Sequence, residues 1–117
     1  TGPGSPSVLT NMIVSIEQHV DWIAACLAQL RSRNVATIEA ALEAEDAWVA
    51  HVREVGERTL YPQANSWYVG ANIAGKPRVF MPYIGGFLVY KSKCDGIAAH
   101  GYAGFRLSPA PAAVAAQ

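Results

Sequence analysis

With 117 residues, nine basic and nine acidic side chains and a formal charge of zero, the chain is sized for one modest domain or part of one. Its cations are scattered rather than striped, so nothing offers the counterion release on which nucleic-acid binding depends, and that class of partner is excluded. The two cysteines, Cys26 and Cys94, stand alone, which excludes a disulfide framework or a thiolate metal motif and leaves reduced thiols in a cytoplasmic protein as the expectation.

In chain order, residues 2–7 are turn material, because Pro3 and Pro6 fix φ while Gly2 and Gly4 open conformations closed to other residues. From Met12 the apolar positions Met12, Ile13, Ile16, Val20, Ile23, Leu27 and Leu30 recur at three- and four-residue spacing, which predicts a helix to about Arg33. Thr10 or Asn11 is its expected N-cap, and Asn34 its stop. Residues 35–40 alternate weakly and suit a short extended segment. A second helix is expected from about Leu42 to Thr59, with Glu43, Glu45 and Asp46 in its first turn and Gly56 weakening its end. Ala44, Ala47, Trp48, Val52 and Val55 would form its apolar face, while His51, Arg53, Glu54, Glu57 and Arg58 face water. Residues 61–77 read as loop and residues 78–83 as a short edge or irregular strand, demoted by Pro82. Gly85-Gly86 introduces a third helix over about 87–99, closed by Gly101; residues 104–107 suit a last strand, and 110–117 a disordered small-residue tail. The fold class is therefore mainly α, with about three helices and a few short strands, in one unit over residues 1–109.

No apolar run approaches the roughly 20 residues of a membrane span, and no basic segment followed by an apolar one opens the chain. The stretch 70–76, GANIAGK, has the spacing of a phosphate-binding loop. The Ser or Thr that should follow is Pro77, which lacks the hydroxyl and disfavours a helical Lys76, so nucleotide hydrolysis is set aside. His19, His51 and His100 fall on different segments and read as structural or solvated; Trp22 and Trp48 read as core.

Three blocks together carry a resemblance: GPGSPSVLTNM at 2–12, SIEQHVDWI at 15–23, and NSWYVGANIAGKPRVFMPYIGGF at 65–87. They resemble the C-terminal part of the flavin-dependent Baeyer–Villiger monooxygenases, in particular the phenylacetone monooxygenase branch, over about residues 2–107. The resemblance implies a C-terminal piece of an α/β flavoprotein with two dinucleotide-binding domains, using FAD and NADPH to insert one oxygen atom beside a ketone carbonyl and give an ester or lactone. The chain carries no G-x-G-x-x-G turn and opens in a turn without an initiator Met, so it is expected to be a C-terminal section and to be inactive alone.

By the same resemblance, Asn11 and Met12 would touch FAD, mainly through backbone at the positive end of the first helix. Ser7, Val8, Leu9 and Met12 would line the ketone pocket. Trp67, on a glycine-rich loop, would fold over NADP and exclude water. No catalytic side chain and no metal ligand is expected in this section. The expected partners are a ketone, molecular oxygen and the N-terminal portion of the same enzyme. Two alternatives stand beside this reading: an N- or S-oxidising flavin monooxygenase, and a non-catalytic helical interaction module that packs through the apolar faces of its first and third helices.

Overall fold

The computed structural model describes residues 1–6 and 9–110; Ser7, Val8 and the tail at 111–117 lie outside the described residues. The order of elements is α1 (Met12–Ser32), β1 (Val35–Ala40), α2 (Leu42–Glu57), two 3-10 turns (Tyr61–Gln63 and Trp67–Val69), α3 (Phe87–Ala99) and β2 (Phe105–Pro109). The three expected helices and both terminal strand positions are present, so the mainly α reading holds.

Local chemistry sets the boundaries. Asn11 caps α1, its Oδ1 accepting from the amides of Ile13 at 3.1 Å and Val14 at 3.3 Å. After Arg33, Asn34 takes φ 53°, a left-handed conformation that asparagine tolerates, and the helix stops. At the end of α3, Tyr102 N–H donates to Ile97 O (2.9 Å) and Gly101 N–H to Ala98 O (3.1 Å), the paired bonds of a Schellman motif with Gly101 at φ 68°. The motif turns the chain so that Tyr102 is buried under α1.

β1 and β2 pair antiparallel, with Ile38 opposite Leu107 and Ala40 opposite Phe105. A two-stranded ribbon is marginal without cover. Here the cover is a small core of Cys26, Leu30 and Tyr102, against which Trp22, Val35, Ile38, Ile97, Phe105 and Leu107 pack. A second buried group, Val52, Val69, Phe80 and Tyr83, lies on the α2 side. Gly56 belongs there for a packing reason, since a Cβ at that position would come within 2.8 Å of the Phe80 ring. α2 ends at Glu57.

Most of the apolar stripe of α1 is left uncovered: Leu30 is buried, whereas Met12, Ile13, Ile16, Val20, Ile23 and Leu27 are exposed. The helix packs through the adjoining face, with Ser15, Cys26 and Leu30 buried. Two expectations are corrected. Residues 78–83 form no strand, because Pro82 lacks an N–H and the neighbouring backbone groups bond irregularly to two different segments. His51 does not face water but is half-buried against Trp48 and Tyr83.

The molecule is elongated, 64 × 31 × 22 Å, with a radius of gyration of 17.6 Å. A compact chain of this length would have about 13 Å. Much apolar side-chain surface is therefore left uncovered, concentrated on α1 and at Leu88 and Val89 of α3. Among the described residues no helix is long and apolar enough to cross a membrane.

Candidate functional site

The N-terminal turn is built by short-range bonds and then held from outside. Ser5 Oγ donates to Gly2 O at 2.7 Å and accepts from Gly2 N–H at 3.0 Å, while Gly4 takes φ 75°. Trp48 Nε1 donates to Gly4 O at 3.0 Å. Gly4 N–H donates to Met81 O at 2.8 Å and Tyr83 N–H to Ser5 O at 3.1 Å. Pro6 is fully buried. The two expected pocket residues that follow, Ser7 and Val8, lie outside the described residues; Leu9, the third, is half-buried.

At the start of α1, Asn11 and Met12 are both exposed. The first turn has no acidic residue, so the positive end of the helix dipole is uncompensated. That fits an electron-rich ring or an anion. The fit is tempered in one respect, because Asn11 Oδ1 already accepts the amides of Ile13 and Val14 and leaves fewer free donors than a bare helix end offers.

Trp67 opens the second 3-10 turn, with Ser66 as its cap and Gly70 closing it at φ 73°. Its indole is 61% exposed and stacks on Tyr68, the centroids 4.0 Å apart. Tyr68 in turn meets Tyr61 edge-on. Residues 72–79 beyond it are exposed, and no helix follows Lys76, as the proline at position 77 implied. An exposed aromatic on a supported turn, beside an open loop, can cover a planar ligand.

A cleft of about 870 Å3 opens between α1, α2 and α3, away from Trp67 and from the Asn11 end of α1. Trp22, Trp48, Tyr90 and Phe105 give it apolar walls, and His19, His51 and Cys94 also line it. Trp48 ties two sites together: read as plain core in the sequence, it is half-buried, shared between cleft and turn. The signal for it was weak, because its hydrogen-bond partner Gly4 lies 44 residues away in sequence. Cys94 is held as a thiol, its pKa raised by burial. Burial, and then Cys94 beside it, push the Tyr90 phenol well above its ordinary value. A protonated thiol and phenol are poor nucleophiles, so the cleft's own side chains do not form a nucleophile–base pair. Among the described residues no three His, Cys, Asp or Glu side chains gather to hold a metal ion.

His19 supplies a pH dependence. Its pKa is lowered by burial, and its Nε2 is buried without a hydrogen-bond partner. The folded chain therefore binds fewer protons at this site than the unfolded chain. The stabilisation is full above the ordinary histidine value of about 6.5 and is lost as pH falls through it toward the lower folded value. Between about pH 7 and pH 5 the melting temperature is expected to drop less in His19→Gln than in the parent chain; parallel profiles would clear His19 of the role.

No family model matches the chain. It is 42% identical over 107 residues, 91% of its length, to an acetone monooxygenase (methyl acetate-forming) of Gordonia sp. (strain TY-5). It is 40% identical over 101 residues, 86% of its length, to a Baeyer–Villiger monooxygenase of Pseudooceanicola batsensis. The chain is similar to the C-terminal section of Baeyer–Villiger monooxygenases. It spans about one fifth of these relatives, 20% of the first and 18% of the second. A phenazine N-monooxygenase of Lysobacter antibioticus matches at 34% identity over 97% of the chain and 21% of its own length. An FAD-binding monooxygenase of Aspergillus aculeatus matches at 27% over 76% of the chain and 15% of its own length. Among solved structures, a steroid monooxygenase bound to NADP superposes with a TM-score of 0.84 at 46% identity, over 94% of this chain and 20% of that one. A cyclohexanone monooxygenase from Rhodococcus sp. Phi1 bound to NADP+ gives 0.86 at 34%, over 92% and 20%. The fold is that of the C-terminal part of these family members, as the three sequence blocks implied.

Proposed function

We propose that this chain is the C-terminal section of an FAD- and NADPH-dependent Baeyer–Villiger monooxygenase that converts ketones to esters or lactones, and that it has no turnover alone. What supports the reading most is the match at 42% identity over 107 residues, 91% of the chain. FAD bound to the complete enzyme would take electrons from NADPH and activate oxygen. The residues here would bind and enclose. Asn11 and Met12, at the uncompensated positive end of α1, face the cofactor; Leu9 and Met12, with Ser7 and Val8, wall the ketone; Trp67 closes over NADP and excludes water. The remaining portion of the polypeptide would cover the exposed stripe of α1, and the enzyme would work in the cytoplasm. Ketone oxidation is preferred to N-oxidation because relatives named for acetone and for Baeyer–Villiger chemistry stand at 42% and 40% identity, the phenazine N-monooxygenase at 34%.

The test is NADPH oxidation by the full-length polypeptide with a ketone, with ester and peroxide measured together. Flavin-loaded protein that makes no ester from any ketone would remove the reading. In Trp67→Ala, ester formed per NADPH is expected to fall about tenfold or more while peroxide rises, as an enclosed site becomes wet; unchanged coupling would remove the lid role from Trp67.

A further inference from the structure

We infer that Trp48 is a positioning residue for the turn at residues 2–6, and that residues 79–83 brace this turn and the base of the Trp67 loop as one unit. The catalytic consequence rests on the proposed function; the brace does not.

Beyond its own Ser5–Gly2 bonds, the turn is held by Trp48 and residues 81–83, far along the chain. Both backbone polar groups of Gly4 are engaged, the carbonyl by the Trp48 indole at 3.0 Å and the amide by Met81 O at 2.8 Å. The next carbonyl, Ser5 O, accepts from Tyr83 N–H at 3.1 Å. The indole can close on the turn because position 4 is glycine: a Cβ there would lie 2.9 Å from Trp48 Nε1, and φ is 75°. The opposite end of the same segment is fixed to the loop, with Val79 N–H donating to Val69 O at 3.3 Å and Gly70 N–H to Trp67 O at 2.9 Å. Phe80 seats the middle against Gly56. Residues 79–83 thus carry backbone bonds to the Trp67 turn at one end and to the pocket turn at the other. Trp48, ring to ring with Tyr83 at 5.1 Å, locks the second end to α2. Backbone bonds fix position more narrowly than apolar contacts, which can slide, so a shift at the loop base is passed to the turn.

The experiment is amide hydrogen exchange on the full-length polypeptide, followed peptide by peptide, alongside ketone kinetics. Trp48→Phe keeps an aromatic ring and removes the donor. It is expected to speed exchange in the peptides containing Gly4 and Tyr83 about threefold to tenfold, the scale of one hydrogen bond. KM for the ketone should rise by a similar factor, with the rate of flavin reduction by NADPH unchanged. Gly4→Ala, which forces the turn away from the indole from the other side, should give the same exchange pattern. Trp22→Phe is the control: it too loses an indole bond, 2.9 Å to Cys94 O, but on the far side of the cleft, and should leave both peptides as they were. Wild-type exchange in Trp48→Phe, or the same change in Trp22→Phe, would overturn the brace. A wild-type polypeptide with no ketone turnover would remove the proposed function, and the exchange result would then decide the brace by itself.

Discussion

Replacing Ile16, Val20 and Leu27 together by glutamate is expected to leave the isolated chain as helical as before and less prone to self-association, while the same change in the full-length polypeptide prevents flavin retention. The three side chains are 44%, 58% and 50% exposed, and with Ile13 and Ile23 they make a stripe at three- and four-residue spacing along α1. Exposed apolar surface of this extent is unusual on a free-standing protein and marks a contact face. On the chain alone, each glutamate sits in water and costs roughly 0.5 kcal/mol or less. In an assembled enzyme that covers the stripe, each carboxylate would be stripped of water without a cation, at roughly several kcal/mol apiece. That exceeds the margin by which domains are stable. Circular dichroism of the chain and flavin absorbance of the full-length polypeptide are the readouts. A full-length variant that holds flavin normally would mean that the stripe stays in water and is not the face the rest of the polypeptide covers.

The second large effect is expected inside the α2 side. Phe80→Ala should cost the chain about 3–5 kcal/mol in urea unfolding, the range for removing a buried aromatic ring. Phe80 is 8% exposed and rests on Gly56, on Tyr61 with centroids 5.2 Å apart, and near Tyr68 at 6.4 Å. The neighbouring Val79, 52% exposed, is the comparison: Val79→Ala should fall within about 0.5 kcal/mol of the parent. Near-equal losses for the two would show that the ring's seat is not desolvated. Because Phe80 also stands between the two ends of the brace, Phe80→Ala should loosen the Trp67 turn as well.

Helix positions were legible because their ends carry residues with special backbone preferences: Asn11 as cap, Asn34 at positive φ, Gly101 in the Schellman turn. The direction of α1 was not. Three- and four-residue spacing tells which face is apolar but not what will cover it, and the face that packs here, through Cys26 and Leu30, includes the buried polar Ser15. Residues 78–83 defeated a strand reading for a related reason, since their bonds go to residues 4, 5 and 69 and no local pattern specifies such partners. Of the candidate site, Trp67, Asn11 and Met12 are the positions the sequence blocks named, and all three are exposed. Trp48 was misread as plain core because its donor finds Gly4, at the other end of the sequence from any helical periodicity.

The two cores have a consequence for how damage spreads. α1 packs with β1 and α3, and α2 with the turn at Tyr61–Gln63; the halves meet at rings such as Trp48 and Tyr90, 6.0 Å apart, and at the bond from Ala41 N–H to Gly104 O. With so few links between them, the halves are expected to open separately, and amide exchange that rises in both together would say otherwise. Lesions at Cys26, Leu30 or Tyr102 are expected to fray that end of the molecule before they disturb the Trp67 turn or the turn at residues 2–6, so variation there should shorten the protein's lifetime first.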